Sequence, residues 1–146
     1  MPQHLILVAQ LSASAFMAGV IWLVQLAHYP LFDGVEGGRS TDAFRANQRR
    51  TAAVVMPPML VEGITAALVA LAPPPGVGRP AALAGLALVG LLWLSTALVQ
   101  MPLHERLGRD GHEPATIARL VRGNWVRTIA WTARAVLAAW MLHAAT

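Results

Sequence analysis

The chain has no cysteine, no lysine and few charged residues of any kind. Without cysteine it has neither disulfides nor thiolate metal sites. Only 12% of its 146 residues are charged and 56% are hydrophobic, whereas about a quarter of the residues in a soluble domain are charged. This composition excludes an ordinary soluble domain and indicates an integral membrane protein.

Four apolar stretches cover residues 5–28, 52–72, 81–101 and 125–145. Each matches the ~20 residues that a helix needs to cross a bilayer. The sequence therefore predicts an all-α fold, in which residues 1–146 form a single integral membrane domain and a four-helix transmembrane bundle. The first stretch is interpreted as a membrane helix and not as a signal peptide, because no basic segment precedes Leu5.

All basic side chains other than histidine are arginines, and they concentrate in two of the predicted loops. The second loop has only Arg79, whereas the first and third loops share eight arginines: Arg39, Arg45, Arg49, Arg50, Arg106, Arg109, Arg119 and Arg122. The positive-inside rule places these two loops in the cytoplasm and both termini outside. The sequence thus predicts a multi-pass inner-membrane protein that contacts membrane lipid and has no nucleic-acid partner.

Two short motifs occur once in each half of the chain. Tyr29-Pro30-Leu31-Phe32 corresponds to Met101-Pro102-Leu103-His104, and Asn-x-x-Arg-Thr occurs at residues 47–51 and again at 124–128. This pattern predicts two tandem helical-hairpin repeats. The Asn-x-x-Arg-Thr motif has two interpretations: helix capping with arginines that reach the lipid phosphates, or two arginines that flank one shared pocket.

Each predicted helix has one polar face, and inside a bilayer such faces turn toward one another. Most of the polar side chains fall in the cytoplasmic third of the bundle: Gln25, His28, Gln100, His104, Asn124 and Arg127. The pattern predicts a polar pocket that opens to the cytoplasm and is closed outward. Because a through-channel needs polar lining at both ends, conduction is disfavoured.

Glu62 and Arg134 lie at the middle of the second and fourth apolar stretches. Charges at that depth are expected to face inward and meet. They form either a structural ion pair or a site in which Glu62 accepts a proton under the control of Arg134. Pro57-Pro58 predicts a kink or an unwound turn in the second helix, either for packing or as cavity lining.

His28 and His104 end two predicted helices that run in the same direction. The sequence leaves three roles open for these two imidazoles: acid and base catalysis, ligation of a metal or haem, and interfacial hydrogen bonding. The repeat offsets them by about one helical turn, which disfavours symmetric haem ligation. No metal ligand is assigned, and the cofactor is left open.

Residues 28–32, 55–62 and 124–128 resemble the anthrone oxygenase-like family of small four-helix membrane proteins. The resemblance covers most of the chain and implies a lipophilic aromatic substrate that dioxygen oxidises, in a cofactor-independent or metal-dependent reaction. It implies that Glu62 or His28 is the base and that Arg127 or Arg134 stabilises an enolate. The substrate-binding set is then Gln25, Gln100, His104, Asn124 and Trp131.

Two other functions remain open on the sequence. The first alternative is a non-catalytic subunit of a larger membrane complex or of a homo-oligomer, with apolar outer faces as docking surfaces. Alternatively, it is a small proton-coupled transporter in which protonation of Glu62 breaks its contact with Arg134.

Overall fold

A computed structural model describes residues 2–29, 41–110 and 113–146 of the chain. Of these residues 92% are helical, which confirms the all-α prediction. The helices are α1, Pro2–Leu23, followed by a π-helical turn, Val24–His28; α2, Thr41–Leu71; α3, Arg79–Ser95, followed by a second π-helical turn, Thr96–Gln100; α4, Met101–Asp110; and α5, Pro114–Ala144. The predicted features at residues 30–40, including most of the first Pro-Leu motif and Arg39, lie outside the described residues, as does the Arg45 side chain.

Within the described part of the chain, three helical segments are long and apolar enough to cross a membrane: Gln3–His28, Ala46–Leu71 and Arg79–Arg109. Helix α5 is as long as α2 but carries Arg127 and Arg134, and it is less apolar than α1. These features indicate a helical membrane protein.

Helix α3, the second π turn and α4 follow one another without a break and form one helical rod. This rod and the helices α1, α2 and α5 make a closed bundle of four members, in which each member packs against two neighbours. Helix α1 contacts α2 and α5, and α3 contacts the same two helices from the other side. Apolar cores fill both ends of the bundle, around Leu7 and Val69 at one end and around Tyr29 and Leu120 at the other. A third apolar core, around Met17, lies between them. The second core lies at the arginine-rich end, where α1 and α4 end and α2 and α5 begin.

Helices α2 and α5 begin earlier than the apolar stretches predicted. The predicted starts at residues 52 and 125 lie 11 residues inside helices that begin at Thr41 and Pro114. The early turns carry polar and charged side chains, so a search for apolar runs leaves them out. Asn47 and Asn124 therefore lie within helices, and the interpretation of these residues as N-caps is wrong.

Helix α2 continues as an α-helix through Pro57 and Pro58. Prolines at these positions provide no N–H for the carbonyls of Ala53 and Val54. Because the ring of Pro57 is exposed and that of Pro58 is half-buried, these residues are not part of the packed core. The predicted unwound turn is absent from this described helix.

The departures from α-helical geometry are instead the two π-helical turns, Val24–His28 and Thr96–Gln100. A proline stands two positions after each turn in the sequence, at Pro30 and Pro102. In a regular α-helix, the Pro102 ring would clash with the carbonyl of Leu98, four residues earlier. We attribute the second π turn to this clash, since an additional residue in the turn displaces that carbonyl.

The α2–α3 connection is fixed by a glycine. Gly76 has φ of 81°, a conformation that favours glycine. A Cβ at this position would lie only 1.8 Å from the Ala144 carbonyl oxygen. The turn thus packs directly on the end of α5 and closes the bundle opposite the arginine-rich end.

Candidate functional site

The predicted polar faces turn inward. Polar and charged side chains that are buried within the bundle include Gln10, Ser14, Gln25, Glu62, Gln100, Asn124 and Arg134. All of them except Gln10 fall into two groups at different depths. The central site comprises Ser14, Glu62, Trp131 and Arg134, and the end cluster comprises Gln25, Gln100, Asn124, Arg127 and His104.

Glu62 is held by two hydrogen-bond donors from other helices. The Ser14 hydroxyl donates to Glu62 Oε1 at 2.5 Å, and the Trp131 indole N–H donates to Oε2 at 2.8 Å. The side chain is 2% exposed. Both carboxylate oxygens therefore have partners, and α1, α2 and α5 meet at this residue.

Arg134 lies in the same interior without a hydrogen-bonded ion pair. It is 0% exposed, and none of its three guanidinium nitrogens makes a hydrogen bond. The charge of Glu62 acts on it through space only. The prediction that Glu62 and Arg134 face inward is confirmed. The prediction that they form a direct pair is wrong, because the carboxylate accepts hydrogen bonds from Ser14 and Trp131 instead.

Gly85 of α3 gives the Arg134 guanidinium its space. A Cβ at Gly85 would lie 3.1 Å from Arg134 Nη1 and 3.3 Å from Met141 Cε. Both neighbours are fully buried, so they have little room to move. Nothing in the sequence pattern identifies this glycine as part of the site.

Gly85→Ala is expected to lower the free energy of unfolding by about 1–2 kcal/mol, because the added methyl group overpacks the guanidinium. Gly90→Ala is the matched control in the same helix, since nothing lies within 4 Å of its Cβ position, and it is expected to be neutral or slightly stabilising. Equilibrium unfolding in mixed micelles, followed by circular dichroism at 222 nm, compares the two. Equal effects would contradict a tight fit at Gly85.

Trp131 connects the central site to the end cluster. Its N–H faces Glu62, and the Arg127 guanidinium carbon lies 5.0 Å from its ring centroid, within cation–π range. Arg127 Nη1 donates to Asn124 Oδ1 at 3.2 Å, and Asn124 Nδ2 donates to Gln25 Oε1 at 2.8 Å. A continuous series of polar contacts therefore runs from the middle of the bundle to its arginine-rich end.

Gln100 is the buried amide of this cluster that has no partner. It is 2% exposed, and neither its oxygen nor its nitrogen makes a hydrogen bond. It lies against α5, where a Cβ at Gly123 would be 3.0 Å from Gln100 Nε2. An unpaired buried amide is costly and provides both a donor and an acceptor for a bound molecule.

His28 and His104 lie at the edge of the end cluster, both half-buried. His104 interacts electrostatically with Arg127 and His28, and the His28 ring centroid lies 6.1 Å from that of Tyr29. Burial raises the pKa of Tyr29 to about 12 against the opposing charge of Arg127, so its phenol stays neutral. Among the described residues, no third imidazole or carboxylate joins the two histidines as a metal-binding group.

The two copies of Asn-x-x-Arg-Thr lie in different surroundings. Asn124 and Thr128 are buried and Arg127 is half-buried, whereas Asn47 and Arg50 are exposed. The hypothesis that both arginines flank one pocket is therefore wrong: only the copy on α5 contributes to the interior.

Comparison with known protein families, with curated protein sequences and with solved structures gave no match. The likeness to the anthrone oxygenase-like family accordingly rests on residues 28–32, 55–62 and 124–128 alone.

Proposed function

We propose that this membrane protein binds a lipophilic aromatic molecule at the end cluster and acts on it as an oxygenase-like oxidoreductase. The observation that carries the proposal is the set of hydrogen-bonding groups, two of them with unpaired atoms, that lie beside an apolar core at the arginine-rich end of the bundle. Gln100 has two unpaired amide atoms, and the Arg127 Nε is also unpaired. Such a site requires a hydrogen-bonding partner for the unpaired groups and an apolar surface for the residues around them. A ligand with a polar oxygen and an apolar body provides both.

In the proposed reaction, a base removes a proton from the CH₂ group that lies across the central ring from the ketone of an anthrone, and conjugation through the aromatic rings moves the negative charge to the ketone oxygen. Arg127 and Gln100 stabilise that oxygen electrostatically. Dioxygen, the oxidant implied by the family resemblance, reacts with the carbanion. The balanced change is CH₂ plus O₂ to C=O plus H₂O, with four electrons moving from the carbon to dioxygen.

The structure favours His28 over Glu62 as the base. Both Glu62 oxygens already accept hydrogen bonds from Ser14 and Trp131 in the central site, so the carboxylate is occupied away from the end cluster. His28 is half-buried at the end cluster, and an imidazole has the proton affinity that suits a base near neutral pH. In this proposal Glu62 is a fixed counter-charge for Arg134, and Asn124 with Gln25 orients Arg127.

We also propose that the bundle consists of two tandem hairpin repeats. The two π turns are separated by 72 positions at both their first and last residues, Val24 to Thr96 and His28 to Gln100, as are the two Pro-Leu motifs. This common spacing supports two tandem hairpin repeats. The exposed arginines at one end of the bundle, Arg49, Arg50, Arg106, Arg109, Arg119 and Arg122, support a cytoplasmic location for that end, with both termini outside the inner membrane.

The test uses protein purified in a mild detergent. We expect mass spectrometry of extracted small molecules to find a planar aromatic compound. An oxygen electrode is expected to record uptake of one O₂ per quinone formed from a tricyclic anthrone. If the protein carries an aromatic compound but takes up no oxygen, the oxidation step is wrong. If it neither carries an aromatic compound nor takes up oxygen, the whole proposal is contradicted.

A further inference from the structure

An apolar groove with two arginines lies on the outer surface of the bundle, away from the central site. It runs between the second π turn with α4 on one side and α5 on the other. Its lining residues are Leu98, Val99, Pro102, Leu103, Arg106 and Arg119. Leu98 is 70% exposed and Val99 is 41% exposed, so this surface faces whatever surrounds the protein.

The groove has an apolar part and a charged part in a defined order. Leu98 and Arg106 are eight residues apart, which corresponds to roughly 12 Å along a helix axis. One leaflet provides about 15 Å of hydrocarbon depth. Leu98 and Val99 lie within the segment that is apolar enough to cross a membrane, and Arg106 lies near the end of that segment.

The two arginines come from different helices, Arg106 from α4 and Arg119 from α5. Both are exposed. The nearest acidic residue in the α4 sequence, Glu105, lines a separate depression with Gln48, Gly108 and Arg109. The groove is therefore positively charged at its polar end, which complements a phosphate.

We propose that this groove binds one anionic phospholipid, with its phosphate between Arg106 and Arg119 and an acyl chain along Leu98, Val99 and Leu103. The site is independent of the proposed oxidation. The lipid contacts both α4 and α5 and covers the outer side of the π turn that holds Gln100. Its binding thus holds this turn against α5.

Native mass spectrometry tests the site, with dioleoyl phosphatidylglycerol and dioleoyl phosphatidylcholine as probes. We expect one retained phosphatidylglycerol per protein and weaker binding of phosphatidylcholine. Each single variant, Arg106→Gln or Arg119→Gln, is expected to weaken binding about fivefold, and the double variant roughly thirtyfold. Free glycerol phosphate is expected not to compete, because it has no chain to occupy the apolar part.

The matched control is the double variant Arg49→Gln, Arg50→Gln, which removes two exposed arginines from the same end of the bundle but outside the groove. It is expected to change binding less than twofold, and circular dichroism verifies that all variants keep their helix content. An equal loss in the control would indicate a diffuse basic surface and overturn the proposal. Equal binding of the two lipids, or competition by glycerol phosphate, would overturn it as well.

Discussion

Glu62→Leu is expected to lower the free energy of unfolding by roughly 3–5 kcal/mol, because it leaves a buried guanidinium without a counter-charge. Arg134 has no hydrogen-bond acceptor to compensate. The substitution also removes the acceptor of the Ser14 hydroxyl and the Trp131 N–H. Arg134→Met is expected to cost less than half as much, since the carboxylate keeps both donors. The two charges therefore contribute unequally.

The double variant Glu62→Gln, Arg134→Met removes both charges and keeps an oxygen that accepts a hydrogen bond. It is expected to be within about 1–2 kcal/mol of the wild type, because replacing both members of a buried charge pair is far less costly than stranding one. Unfolding in mixed micelles, followed by circular dichroism at 222 nm, measures all three variants. If Arg134→Met proved as destabilising as Glu62→Leu, the carboxylate would depend on the guanidinium and not on Ser14 and Trp131.

Arg127→Met is expected to lower kcat/KM for oxidation of an anthrone by a factor of about 10²–10³, the usual effect of removing one group that stabilises an oxyanion. The side chain of Met still packs on the Trp131 ring, so the fold is expected to be kept. In the proposed reaction Arg127 acts on charge that develops only during turnover, so substrate binding is expected to change much less than turnover.

The control for this variant is Arg50→Met, at the corresponding position of the other Asn-x-x-Arg-Thr copy, where the side chain is exposed. It is expected to have wild-type kinetics. Initial rates of oxygen uptake and a separate binding titration distinguish the two effects. Equal kinetics for Arg127→Met and the wild type would remove Arg127 from the proposed reaction while leaving its hydrogen bond to Asn124 as a structural contact.

Helical periodicity predicts several of the polar side chains that face inward. Their spacing predicts interior positions for four residues, because isolated polar groups in an apolar helix turn toward one another inside a bilayer. All four are buried: Gln25, Asn124, Glu62 and Arg134. The functional roles assigned to these residues remain predictions. Burial follows from spacing along a single helix, which the sequence contains directly.

The choice of partners could not be predicted in the same way. Whether Glu62 meets Arg134 or Trp131 depends on how α2 and α5 are rotated and on their relative heights, to within a few ångströms. Glu62 and Trp131 are 69 positions apart in the chain, and no local pattern relates them. The same reasoning applies to Gly85, since space for a guanidinium exists only after α3 and α5 pack together.

The π turn at Thr96–Gln100 also determines how α4, which follows it directly, is rotated about the helix axis. A π turn is equivalent to an α-helix with one inserted residue, and one residue corresponds to about 100° around the axis. Deleting that residue would swing Leu107 out of its buried position at the arginine-rich end and carry Arg106 away from Arg119. A single backbone insertion thus determines which side of α4 is core and which side is surface.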